Sequence, residues 1–459
     1  MPLFGRLWTL PAAGTALLWT LAVLPATAAE PAPASPPGRF WPLDAWVKAA
    51  PLEENLSEGK LEEALGFARD YQSRGVVVVR GGRLVAERYW KEWNENSVQH
   101  IASVTKSVVA VLTGMAVEDG FLKGPDQKVS EILTEWKSSP KEGITVGHLL
   151  SMTSGLDDGK KRGTKRERRF DEETFNLALP LRHPPGTVWQ YNSAAYRLLF
   201  TVLARATGKT LADYTKEKLL LPLGMKHTRW VVRKTEAAGH PLYLECSCRD
   251  LARFGLLVLR RGEWNGEQIV SKTFIAQATS RSQDLNEAYG FLWWLNSGRS
   301  FLHTSGRRKK RKGALFPDCP RDTVAALGAG DKKLYVVPSL DLVVVRLGDP
   351  ARTTRKSPVA MPRTEFNNAF LSRICLSVQG FQPPEKPPPP PPPRDHPGVE
   401  KIRAKLAELT VARRMGDIQT FRQCAAEIQD LWNALPPEVQ KDLERQYPGL
   451  TARIESGFE

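Results

Sequence analysis

The chain has 459 residues, 41% of them hydrophobic and 25% charged, which excludes a wholly disordered or collagen-like protein and allows one large domain or two to three smaller ones. With 65 Lys+Arg against 50 Asp+Glu the formal charge is +15, and a charge of that size raises nucleic-acid binding as a function class. The excess is local, however. Residues Lys160 to Arg169 hold seven bases against the single acid Glu167, and Arg307 to Lys312 are six bases in a row. Two decorated loops on an otherwise ordinary surface exclude a basic fold, so no nucleic-acid partner is expected.

In chain order, Arg6 precedes an apolar run from Leu7 to Leu24 and then Ala26-Thr27-Ala28. A charged start, an apolar core and an A-x-A site predict a cleaved signal peptide over residues 1–28 and a periplasmic or secreted protein. Pro11 and Gly14 interrupt the run, which argues against a membrane anchor, and the absence of a cysteine at the cleavage site argues against a lipoprotein. Residues 29–39 form a Pro/Ala linker, and globular patterning covers residues 40–380. Gly75 to Trp90 reads as a hairpin turning at Gly81-Gly82, and Lys333 to Leu347 as a second turning at Pro338-Ser339. Tyr289 to Leu295 reads as a further strand, while Thr105 to Val117, Ala194 to Thr207 and Arg249 to Arg261 carry helical patterns. Strands at both ends with helices between them predict an α+β fold: one antiparallel sheet closed by the first and last strands, with a helical region inserted. Residues 381–398, with seven consecutive prolines at Pro387 to Pro393, predict an extended spacer. Residues 399–459 predict a small helical segment, with Val399, Ile402, Leu406 and Leu409 on one face and Ile418, Phe421, Ile428 and Leu431 on another.

The motif that carries chemistry is Ser103-Val104-Thr105-Lys106 at the start of the long apolar helix. Three residues of helix put a hydroxyl and an amine one turn apart on one face. A serine needs a neighbouring base to become a nucleophile, and a buried lysine can lose its proton by desolvation and serve as that base. The bland alternative is a serine N-cap beside a surface lysine. Two other Ser-x-x-Lys tetrads, at Ser57 and Ser138, lie in polar stretches, the second broken by Pro140. The five cysteines, Cys246, Cys248, Cys319, Cys375 and Cys424, show no metal-ligand spacing, so buried thiols and no metal or cofactor are expected. His148 in an apolar stretch reads as a structural histidine. No G-x-S-x-G elbow or P-loop is present.

Seven blocks in order, beginning with HIASVTKSVVAVLTGMAVEDG (His100 to Gly120) and PPGTVWQYNSAAYRLL (Pro184 to Leu199) and ending with ALGAGDKKLYVVPSLDLVVVRLGD (Ala326 to Asp349), resemble the serine hydrolases related to class C β-lactamases and D-Ala-D-Ala peptidases. Within that family the Trp-Trp-Leu-Asn strand and the short Gly-x-Gly end are most similar to esterases and 6-aminohexanoate-dimer hydrolases. The resemblance implies that Ser103 is acylated, that Lys106 is its base, and that Tyr191 relays a proton with its pKa lowered by Lys106. It implies an oxyanion hole from the Ser103 N–H and one from the Gly328-Ala329-Gly330 strand.

Two departures stand out. The family's Tyr-x-Asn reads Tyr191-Asn192-Ser193 here, which leaves open which of Asn192 and Ser193 contacts substrate. The Lys-Thr-Gly of β-lactamases is absent, and its lysine helps bind a substrate carboxylate. A small ester or amide is therefore the expected substrate rather than a β-lactam. Trp189, Trp293 and Trp294 are candidates for an acyl pocket. The basic runs are candidate docking sites for an anionic envelope polymer, and the helical tail for a protein partner. The alternative function is a fold-retaining envelope protein with little or no turnover.

Overall fold

Four consecutive valines, Val76 to Val79, are fully buried, which a strand achieves only when both faces of its sheet are covered. They lie in β1 (Ser73–Arg80), which follows helix α1 (Glu58–Asp70) and turns into β2 (Arg83–Tyr89). The structure is a computed structural model and describes residues 40–158, 172–233, 240–302, 310–351, 363–385, 397–415, 417–447 and 449–458. The expected signal peptide and linker, the basic run 160–169, the first half of 307–312, His303 and Pro387 to Pro393 lie outside the described residues.

After the β1–β2 hairpin come β3 (Val98–His100), α2 (Val104–Glu118), α3 (Val146–Leu150), α4 (Glu172–Leu177) and α5 (Ser193–Thr207). Then follow β4 (Thr228–Arg233), β5 (His240–Ser247), α6 (Cys248–Leu259), and the short pair β6 (Glu263–Trp264) and β7 (Glu267–Gln268). The chain continues through β8 (Trp294–Leu295), β9 (Ser300–Leu302), β10 (Lys310–Lys312), β11 (Val324–Gly328), β12 (Lys332–Val337), β13 (Leu342–Gly348) and α7 (Arg363–Ser377). The main sheet runs β2-β1-β13-β12-β11-β8, with every pairing antiparallel. The first hairpin thus joins the last through β1 and β13, in the register Val77 to Val345. This is the expected α+β fold with its helical insertion.

One face of the sheet is covered by α1 and α7, where Tyr335 of β12 meets Phe370. The other is covered by α6 and α2. Gly255 of α6 is needed there, because a Cβ would lie 2.5 Å from Val343 and 2.7 Å from Leu334. Helix α2 is buried from Val104 to Ala116, so it runs through the core with the sheet on one side and α5 on another.

Three expectations are corrected. Tyr289 to Leu295 is not one strand: only Trp294 and Leu295 join the sheet, and Leu292 takes φ +60°. The Leu292 backbone is satisfied by helices instead, its N–H donating to Leu150 O at 2.9 Å and its carbonyl accepting from Ser107 Oγ at 2.7 Å. The second half of the 307–312 run is not loop but the exposed strand β10, paired with β9. The three-stranded sheet β3-β5-β4 was not anticipated.

The chain divides into two units, Met1–Pro384 and Glu385–Glu459. The second holds α8 (Pro397–Met415), α9 (Ile418–Asn433), α10 (Pro437–Gln446) and α11 (Leu450–Glu455) around a core of its own that includes Ile402, Ile428, Leu443 and Leu450. Ile418, expected on the apolar face, is exposed at the start of its helix. All five cysteines are buried free thiols.

Candidate active site

Ser103 caps the N-terminus of α2, with φ −72° and ψ −4°. The preceding Ala102 is held at φ +50°, an unfavourable conformation for a residue with a Cβ. That strain turns the chain sharply out of β3, so that the serine stands at the helix start beside free backbone N–H groups. One turn further, Lys106 Nζ lies 3.2 Å from Ser103 Oγ and 3.3 Å from Ser193 Oγ. The lysine is 3% exposed. Burial, helped by the positive charge of Arg197, pulls its pKa down to about 7. Its ammonium sits over two aromatic faces, 4.1 Å from the Tyr196 ring centre and 5.0 Å from that of Tyr191. A lysine so held can accept a proton from Ser103 near neutral pH and hold the resulting charge against π faces.

Tyr191 precedes α5 and is hydrogen-bonded to Ser103 through its side chain. Burial raises its pKa above that of an ordinary phenol, the Ser103 bond opposes this, and Tyr196 adds to the rise. This corrects the expectation of a phenol lowered by Lys106. Tyr191 stays protonated at neutral pH, so it can donate a proton, and Lys106 is the group that titrates.

The Asn192/Ser193 ambiguity has a geometric answer. Asn192 is the N-cap of α5: its Oδ1 accepts from Ala194 N at 3.0 Å and Ala195 N at 2.9 Å. Its Nδ2 donates to Leu156 O at 2.9 Å and Asp157 O at 3.0 Å. The buried amide is fully used in joining α5 to the loop after α3. Ser193, exposed and beside Lys106, is the residue free to face a ligand.

Gly328 ends β11, and Gly330 turns the chain at φ +70°. A Cβ at Gly328 would lie 2.5 Å from Ile101 O and 3.3 Å from Ala102 Cβ. Glycine therefore lets this strand end close against the segment that leads into Ser103. Its position suits a backbone donor opposite the Ser103 N–H.

The tryptophans separate. Trp294 stacks on Tyr191 at 6.0 Å, and Trp189 meets Trp294 at 6.2 Å and Tyr289 at 5.4 Å. Trp293 instead turns into the core and stacks on Phe254. Sequence reasoning missed Tyr289 and Tyr196; the latter follows Ser193 by three residues on a helix, a spacing that could have flagged it. His148 is structural, as expected: its Nδ1 accepts from Thr145 N at 3.1 Å in a capping box. Among the described residues, no group of three or more His, Cys, Asp or Glu is placed to hold a metal ion.

The family model "Beta-lactamase" matches residues 58–347. The chain is similar to 6-aminohexanoate-dimer hydrolase of Paenarthrobacter ureafaciens, 24% identical over 345 residues that cover 69% of this chain and 79% of the relative. It is similar to esterase EstB of Burkholderia gladioli, 30% identical over 222 residues that cover 44% of this chain and 56% of the relative. Among solved structures, a β-lactamase-like protein of Bacteroides dorei DSM 17855 superposes with a TM-score of 0.56 at 17% identity, covering 70% of this chain and 99% of that one.

Proposed function

We propose, for a chain that belongs to the Beta-lactamase family and is a serine hydrolase of the esterase/amidase type, that hydrolysis proceeds through an acyl-enzyme on Ser103. The supporting observation is the convergence of Ser103 Oγ, Ser193 Oγ and the Tyr191 phenol on a buried Lys106 amine. Neutral Lys106 takes the Ser103 proton as Oγ attacks the carbonyl carbon. The oxyanion is held by the Ser103 N–H and a backbone N–H of the 328–330 turn. The tetrahedral intermediate collapses as the leaving oxygen or nitrogen takes a proton from Tyr191, which is reprotonated through Ser193 and Lys106. Water, activated by Lys106, then cleaves the acyl-serine bond and restores the hydroxyl. The aromatic wall of Trp189, Trp294 and Tyr289 supports a small apolar acyl or amine portion in the substrate.

Incubation with a fluorophosphonate and with p-nitrophenyl butyrate tests this. Labelling and turnover are expected in the native chain and absent in Ser103→Ala. Equal labelling of both proteins would overturn the assignment.

Residues 1–28 support export. The exposed cationic strand β10, with the basic run 160–169, supports docking on an anionic envelope polymer, and the separate helical unit supports recruitment of a protein partner. Neutralising both basic runs should weaken sedimentation with such a polymer and leave ester turnover unchanged. Undiminished sedimentation would remove the polymer from consideration.

A further inference from the structure

Lys332 opens β12 directly opposite Gly328 of β11. Alternation along the strand puts it on the same face as Leu334, which packs toward α6 and thus toward the side of the sheet that carries α2. Its root is close to the nucleophile: a Cβ at Gly328 would lie 3.1 Å from Lys332 Cβ and 3.3 Å from Ala102 Cβ. Its ammonium folds back over the turn, 2.7 Å from where a Cβ would stand on Gly330. The side chain is half-buried, and among the described residues no carboxylate pairs with it.

The nearby acids are committed elsewhere. Asp331 pairs with the buried Lys333 at 3.1 Å and accepts from Ala351 N at 2.9 Å. Asp349 pairs with Arg74 at 3.0 Å and Lys91 at 3.7 Å. Glu245, across from His100 in the small sheet, pairs with Arg229 at 2.6 Å. Positive charge also gathers around the ammonium. The pKa of His100 is drawn down by burial first and then by Lys332 and Arg197, against an opposing pull from Glu245. Arg197 lies one helical turn beyond Ser193, on the face of α5 that meets Lys106. A half-desolvated cation without a protein counter-ion, beside the oxyanion turn, is a site for an anion.

We infer that Lys332 binds a carboxylate carried by the substrate, so that the preferred substrates are esters or amides with an anionic group on one side of the scissile bond. This rests on the acyl-enzyme reading above and names its substrate class. In position and chain context Lys332 differs from the lysine of the absent Lys-Thr-Gly. It projects from the strand after the turn rather than from the turn's leading strand.

Two matched pairs of substrates test the inference. The mono-p-nitrophenyl ester of adipic acid against p-nitrophenyl hexanoate puts the charge on the acyl side. 4-Acetoxybenzoate against methyl 4-acetoxybenzoate puts it on the leaving-group side. In the native chain at least one anionic member should exceed its neutral partner by fivefold or more in kcat/KM, and 0.3 M salt should reduce the difference. Lys332→Gln should abolish the preference while neutral-ester turnover stays within twofold, and Lys332→Arg should keep it. No preference in either pair, or a preference that persists in Lys332→Gln, overturns the inference while the neutral esters still report an active hydrolase. Failure to turn over any of the four esters overturns the hydrolase reading itself, and the subsite with it.

Discussion

Lys106 controls how this site responds to pH. Its proton must be absent before Ser103 can be deprotonated, and burial sets its pKa at about 7. The rate constant kcat/KM for p-nitrophenyl butyrate should therefore rise with pH through a midpoint near 7. Lys106→Met should lower it by about 10²–10⁴-fold, the range typical of a lost general base. A profile flat from pH 6 to 9 would remove Lys106 from that role. The same shift has a stability consequence. The unfolded chain keeps this proton up to pH about 10.5, while the folded chain releases it near 7, so the burial cost is fully present below pH 7 and fades as pH rises toward 10.5. Lys106→Met should accordingly raise the melting temperature at pH 6 and raise it less at pH 9. An equal gain at both pH values would contradict the assigned pKa.

At the level of elements, Asn192 joins α5 to the loop after α3 with four hydrogen bonds. Asn192→Ala removes an N-cap and leaves two buried carbonyls short of a donor, a loss of about 2–3 kcal/mol. Urea unfolding measures this, and a change under about 0.5 kcal/mol would show that the cap is not needed. Long, strongly patterned elements were legible in the sequence: the valine hairpin β1–β2, helix α2, and the β12–β13 hairpin at Pro338. So was the Ser-x-x-Lys turn, because helical spacing alone sets which side chains share a face. Less was legible where tertiary contacts override local pattern. Trp293 and Trp294 look equivalent in sequence, yet the positive φ at Leu292 leads one into the core and the other onto Tyr191. The direction of the Tyr191 shift was misread for the same reason, since burial outweighs any pull from a lysine that is itself partly deprotonated. The sheet β3-β5-β4 was missed because its strands are short or polar and their partners are far apart in sequence.

At the scale of the whole molecule, each unit has its own core, and no residue belongs to both. Ending the chain after Pro384 should leave ester turnover within about twofold and should remove one of two transitions from a calorimetric scan. A large loss of turnover would make the helical unit part of the enzyme. The first unit poses a different problem during synthesis. β1 finds its second partner only in β13, and Arg74 meets Asp349 across 275 positions of chain. Until residue 348 is available, the four valines of β1 have an unpaired edge and α2 has no complete sheet to pack against, so the nucleophile has no finished setting. A growing or translocating chain is therefore inert and adhesive for most of its length. Activity should appear late and all at once, and a holding chaperone should matter more to yield than to the finished enzyme.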